Sequence, residues 1–377
     1  MKRVVLVLMI LLPLVVVAQE KDPNFVKNQP SAAGSRPNGA SPSSRHDVVS
    51  VDPGAAVLSS AQNPTARPQR TKPAQSPKAE EPRPTIPGSM VGYIDNAIVG
   101  SQIRLRFDAG FNNNRPDRAE FFYAQCGCDG PPARGPGPDL VSRLNFQQLY
   151  MRAEYAPVHR FSVFAEVPVR WVQPQQSVLQ TIPRPPSGRF GNQAGISDVQ
   201  AGFKFALLAS DDRYLTFQLL ADFPSGDSSK GLGTNHYSVQ PSLLFFQRVT
   251  DRISFEAQLG DWHPAEGASP NFPGDIFTYG LGPSYELYRG DRVRFAPVIE
   301  LVGWRVLDGL ETNGDLFLKF SPNPPIVTAD GTNIVNLKLG ARTSIGDHSS
   351  FYLGYGQALT HEVWYKHIVR LEYRYTF

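Results

Sequence analysis

Cysteine is nearly missing from this chain, with two in 377 residues, Cys126 and Cys128, separated by one glycine. Such a pair cannot staple a disulfide framework, and two ligands are too few for a structural metal. Long apolar runs are missing too, beyond the first residues. No later stretch reaches the roughly eighteen apolar residues of a membrane helix, which excludes a helical bundle in a membrane. It does not exclude a barrel, whose strands need an apolar residue only at every second position. Charge is balanced, with a net +3 and 19% charged residues, so no nucleic-acid partner is expected. The glycine-rich stretch 226–233 lacks a Walker lysine and a following helix, so no phosphate loop, and no cofactor, is expected.

What is present divides into three parts. Residues 1–18 open with Lys2 and Arg3, run apolar from Val4 to Val17 and reach Ala18 before Gln19, the pattern of a signal peptide cleaved near Ala18. Residues 19–90 are rich in Pro, Ser, Ala and Asn, with no Trp or Tyr and one Phe, Phe25. Such a segment buries too little apolar area to offset its ordering entropy, so it reads as a disordered, periplasmic arm outside the fold. A solvated linker is the expectation for it, with contact to the cell wall as the functional alternative.

Residues 91–377 change character. From Gln102 onward, stretches of about ten residues alternate apolar and polar side chains, the period of a strand with two different faces. Ile103, Leu105, Phe107 and Ala109 alternate with Arg104, Arg106 and Asp108. Leu215, Phe217, Leu219, Ala221 and Phe223 alternate with Thr216, Gln218 and Asp222. About twelve such stretches occur, the last over 363–377. A soluble sandwich would alternate as well, so the connections decide. They run long, short, long, short: 112–145, 156–160, 173–195, 209–213, 224–236, 247–252, 263–275, 288–292, 304–332 and 345–350, with a final short one near Thr360. That rhythm predicts an all-β, antiparallel up-and-down transmembrane barrel with both ends on the short-turn side. About ten residues at roughly 3.3 Å each, tilted about 40°, match the roughly 25 Å apolar band of a bacterial outer membrane. Charges in the strand centres keep to one parity, and Pro168, Pro241, Pro283 and Pro297 are expected at bulges or strand ends.

The last stretch sets Val369, Leu371, Tyr373, Tyr375 and Phe377 against Arg370, Glu372 and Arg374. Its aromatic C-terminus resembles the signal read by the barrel-assembly machinery, with Tyr373, Tyr375 and Phe377 as the residues read. The stretch GISDVQAGFKF from Gly195, with DFPSGD from Asp222, resembles the putative transporter family linked with the meta pathway of phenol degradation. That resemblance spans roughly 195–260 and implies an outer-membrane channel or transporter in a diderm envelope, with outer-membrane lipid as its surroundings.

Inward-parity charges are the candidate pore lining. Arg104, Arg106, Lys338, Arg342, Lys366, Arg370 and Arg374 come from the first, tenth and twelfth strands, neighbours once a barrel closes. Asp222, Glu256 and Glu286 fall on the opposite wall. Either the two walls set a field across an open lumen, or the charges pair and fill it. The expected function is passive passage of small hydrophilic or amphiphilic solutes, with a structural or adhesive barrel as the alternative. A lipase is a third class, because His236 and Ser238 have the two-residue spacing of such enzymes. Their inward parity and the missing Asn near Thr250 speak against it, so no enzyme is expected.

Overall fold

The computed structural model describes residues 88–114, 140–178, 192–266, 273–312, 326–361 and 363–377. The signal-peptide and most of the arm readings, and Cys126 and Cys128, lie outside these residues.

Twelve strands form the wall. They are β1 Gln102–Asn113, β2 Leu140–Val158, β3 Phe161–Val178, β4 Val199–Ala209, β5 Arg213–Phe223 and β6 Tyr237–Arg248. They continue as β7 Ile253–Glu266, β8 Ile276–Tyr285, β9 Val293–Val306, β10 Asn333–Ile345, β11 Ser349–Ala358 and β12 His367–Thr376. Each pairs antiparallel with the next, and β12 returns to β1, with Gln102 opposite Thr376 and Phe111 opposite His367. The sheet is closed and has no edge to protect.

The alternation read from the sequence becomes inside and outside. Outward side chains such as Met151, Val163, Phe205, Leu243, Leu259, Ile299, Leu339 and Leu353 are exposed, while Arg152, Ser162, Lys204, Ser242, Glu300 and Lys338 on the other face are buried. An exposed belt of this size around a closed barrel suits a hydrocarbon surrounding and not water. Aromatics mark its rims, with Tyr155, Tyr285 and Tyr375 at the short-turn end and Phe111, Phe223 and Phe277 at the other.

The prolines sit within the ladders and not at strand ends, at places where one flank of the strand is unpaired. Pro168 lies where β3 changes partner from β4 to the short strand Gln193–Ile196. Pro241 falls where β6–β7 pairing lapses between Val239 and Ser242, and Pro283 where β8–β9 pairing lapses between Leu281 and Ser284. Pro297 pairs with Ala341 on β10, just beyond the last β8 pairing at Val298. A residue without an N–H costs nothing on a flank that has no acceptor to meet.

The twelfth strand is shorter than its alternation suggests. It starts at His367, because Val363, Trp364 and Tyr365 leave the wall and are buried in the interior. Asn114 holds this detour by exchanging hydrogen bonds with Val363: its Oδ1 accepts from the Val363 N–H, and its own N–H donates to the Val363 carbonyl.

Candidate functional site: the barrel interior

The interior holds a segment that the alternation gives no sign of. Residues 88–101 pass through the lumen, where Ser89, Met90, Val91, Ile94, Ala97 and Val99 are buried. Ser101 lies at the short-turn end, accepting from the Phe377 N–H and the Ala156 N–H. From there Ala97 and Val99 pack on Ala206, Tyr214, Leu244 and Phe246, and Asp95 meets Gln218 and Gln258. Tyr93 is the deepest point, against Tyr352 and Lys338. The chain then returns, with Met90 near Glu256 and Arg342, and Gly88 beside Arg248, Ser284 and Glu286. The segment enters and leaves at the same end. The arm expected outside the fold up to residue 90 therefore gives up at least Ser89 and Met90 to the lumen, because their polar backbone finds partners on the wall.

Those partners are wall side chains. Glu300 accepts the N–H groups of Gly92, Tyr93 and Ile94 at 3.2, 2.8 and 3.0 Å, and the Tyr352 hydroxyl at 2.9 Å. Glu256 accepts from Met90 at 3.1 Å and Val91 at 3.5 Å, and Gln258 from Asp95 at 2.8 Å. Arg342 donates to the carbonyls of Met90 and Val91, Arg370 to Gly92 and Arg374 to Ser89. Two glycines make the room. A Cβ on Gly92 would stand 2.2 Å from the Tyr352 ring, and one on Gly280 of β8 would stand 2.3 Å from Ile94.

The remaining wall charges pair with one another. Arg104 reaches Glu166 at 2.9 Å, Arg106 lies between Glu166 and Asp108, and Arg370 holds Asp108 through both its Nε and Nη2 at 2.6 Å. Glu372 takes Arg342 and Arg374 at 2.8 and 2.9 Å, and Glu154 takes Lys204 at 3.2 Å. Of the sequence candidates, Arg104, Arg106, Arg342, Arg370 and Arg374 face inward in this network, and Lys338 caps it with its ammonium 3.9 Å from the Tyr93 ring centre and 2.6 Å from the Tyr365 hydroxyl. Asp222 faces inward with Gln200 and Ser238 as donors, and Glu286 pairs with Arg289 at the short-turn rim. Lys366 departs from its inward parity: it is exposed and precedes β12, because the 363–365 detour carries it to the mouth. A basic wall opposite an acidic one is not the arrangement, since the bases of β1, β10 and β12 pair with acids on the same side of the barrel, Glu166, Asp108 and Glu372, and Glu256 meets backbone amides.

Glu300, Glu372, Glu154, Glu166, Arg152 and Lys204 were not among the sequence candidates, although each has inward parity. In the plug, burial alone would raise the Asp95 carboxyl, but Arg152, Arg104 and Lys204 outweigh it and hold the group down at about 2.

The long-loop half of the lumen has other chemistry. Leu144, Phe146, Val172, Leu232, Ile276, Ile334, Trp364, Tyr365 and Ile368 form one buried cluster there, with Tyr93, Trp262 and Trp304 against it. Beside it the two sequence motifs meet. Asp198 accepts from the N–H groups of Gly226 and Thr234 and the Thr234 hydroxyl, and Ser225 donates to Ser197 and accepts from Val199. The motifs thus fasten the base of the 224–236 connection. Ser238 donates to Asp222 at 2.8 Å while His236 Nδ1 lies on the Thr234 carbonyl, so the Ser–His hydrogen bond of a nucleophilic serine is not formed.

No protein-family model matches the chain, and no curated protein matches it. Among solved structures it is similar to an outer membrane channel from Pseudomonas putida F1, with 12% identity, a TM-score of 0.44, and coverage of 74% of this chain and 96% of that one. The β-domain of the Bordetella autotransporter BrkA follows with 10% identity, a TM-score of 0.42 and coverage of 74% and 100%. The NanC porin shows 8% identity, a TM-score of 0.40 and coverage of 74% and 100%.

At the C-terminus Phe377 is exposed and stacks on Tyr375, and Tyr373 packs on Phe351 at 4.9 Å between ring centres.

Proposed function

We propose that the chain is an outer-membrane channel for small hydrophilic or amphiphilic solutes, closed in this state by residues 88–101 from the short-turn side and by the aromatic cluster from the long-loop side. One observation carries this. Residues 88–100 are held inside by wall side chains and take no part in the strand ladders, so they can leave without breaking a wall hydrogen bond. A barrel built only as a scaffold would fill its interior with its own strand side chains. Passage would be passive, over a wall on which Arg104, Arg106, Arg370 and Arg374 keep carboxylate partners. The short-turn end and the arm lie in the periplasm in this reading, and the half-buried Tyr373 with the exposed Tyr375 and Phe377 address the chain to the barrel-assembly machinery. Membership in the transporter family that the 195–205 and 222–227 motifs resemble is part of the same proposal. The sealed interior favours the competing reading, a structural barrel without transport.

Combining Gly92→Val with Trp364→Ala and Tyr365→Ala removes both closures and leaves the ladders intact. In planar bilayers the combined variant conducts while the wild type stays near baseline. A combined variant that keeps heat-modifiable gel mobility and yet passes no current is a scaffold, and the channel reading falls.

A further inference from the structure

Most of the hydrogen bonds that hold residues 89–95 are made to the main chain. Every backbone N–H from Met90 to Asp95 is accepted by Glu256, Glu300 or Gln258, and every carbonyl from Ser89 to Gly92 receives an arginine N–H. Side chains enter more loosely. Met90, Val91 and Ile94 lie on Ala296, Val298, Val302 and Tyr352, an apolar surface that distinguishes shape poorly. Two positions are selective: the Tyr93 ring sits 3.9 Å from the Lys338 ammonium and 4.2 Å from the Arg370 guanidinium, as a cation–π contact requires, and the Asp95 carboxylate accepts from Gln218 at 2.8 Å.

We infer that the wall is a binding site for extended oligopeptides, read through their main chain, one central aromatic side chain and an acidic side chain two residues on, and that residues 88–101 occupy it as an internal substitute. This rests on the reading above that the segment withdraws. Once it does, Glu256 and Glu300 lose amide donors, Arg342 and Arg370 lose carbonyl acceptors, and an incoming peptide restores these pairs in kind. Free amino acids or sugars offer no run of alternating N–H and C=O groups at peptide spacing.

The test uses the full chain with Gly92→Val, and separately with Ile94→Asp, which places a carboxylate among Ala296, Val298 and Val302. Both leave the reading side chains untouched, and heat-modifiable mobility checks that each is a barrel. Hydrogen exchange at the amides of residues 90–95 reports whether the segment has left. Three capped fluorescent peptides are then added: the sequence of residues 89–97, the same length with its glycine, tyrosine and aspartate kept and every other residue replaced by Ala, and that second peptide N-methylated at the places of residues 92–94. The first two bind with affinities within about threefold of each other, and the third binds at least about tenfold more weakly, the effect of losing one or more net hydrogen bonds of about 1.4 kcal/mol. Failure of the second peptide, or equal binding of the N-methylated one, overturns the inference. If exchange shows the segment still docked in both variants, the release reading fails and the inference with it, an outcome told apart from failed binding by the exchange data.

Discussion

The two halves of the lumen are closed by different physics. At the short-turn end one chain segment fills the space, and its backbone is hydrogen-bonded to charged wall residues such as Glu256, Glu300 and Arg342. At the long-loop end apolar and aromatic side chains from five wall strands and two connections meet, with Leu232, Trp364 and Tyr365 supplied by the connections. The first closure is directional and comes apart as a unit when its acceptors are lost. The second is spread over many contacts of which none is specific, so it yields gradually. A solute crossing the barrel would meet both in series.

That contrast predicts a ranking of effects. The largest belongs to the apolar half, where Trp364→Ala empties a side chain that is 4% exposed and packs 4.9 Å from Trp304. A loss of about 3–5 kcal/mol in the unfolding free energy is expected in micelle-supported denaturant titrations. Amide exchange at residues 90–95 should stay unchanged, and a shift there would mean that the two closures are one unit. Next comes Glu300→Ala, which strands three N–H groups and the Tyr352 hydroxyl at about 1 kcal/mol or more each. Hydrogen exchange at Gly92, Tyr93 and Ile94 should speed up by about a hundredfold, consistent with a loss near 3 kcal/mol. Arg342→Met should do less. It loses two donor contacts to the segment and one ion pair, yet Glu372 keeps Arg374 as a partner, so exchange at Met90 and Val91 should rise only about tenfold.

The wall was legible in the sequence because lipid outside and polar filling inside impose a period of two, and a charge on the wrong face of a strand centre is costly. Arg104, Arg342, Glu256 and Arg370 announced their direction in this way. The segment inside the wall was not legible, because its backbone is satisfied by side chains far along the chain. Met90 meets Glu256 and Gly92 meets Arg370, and no local pattern marks such a pairing. Glycines at 92, 280 and 282 were the available sign, since they leave room on both sides of one contact. Val363, Trp364 and Tyr365 misled for the opposite reason. Val363 and Tyr365 continue the apolar parity of β12 into residues that turn inward, and an apolar residue facing a dry lumen reads the same as one facing lipid.

A last effect, read through pH, separates charge from main-chain pairing within the lower closure. Asp95 is the carboxylate that the segment itself brings to the lumen, and Arg152, Arg104 and Lys204 hold it at about 2, below its usual 3.8. A carboxyl lowered on docking contributes its full share above the undocked value and loses it as pH falls through the docked one. Docking by wild type should therefore exceed that of Asp95→Asn by a constant margin from neutral pH down to about 5, and the margin should close between about 4 and 2. The wall is the same in both proteins, so the difference between the two exchange profiles isolates Asp95. A margin that closes near neutral pH would show that the three cations do not hold this carboxylate, and the lower closure would then rest on its main-chain bonds alone.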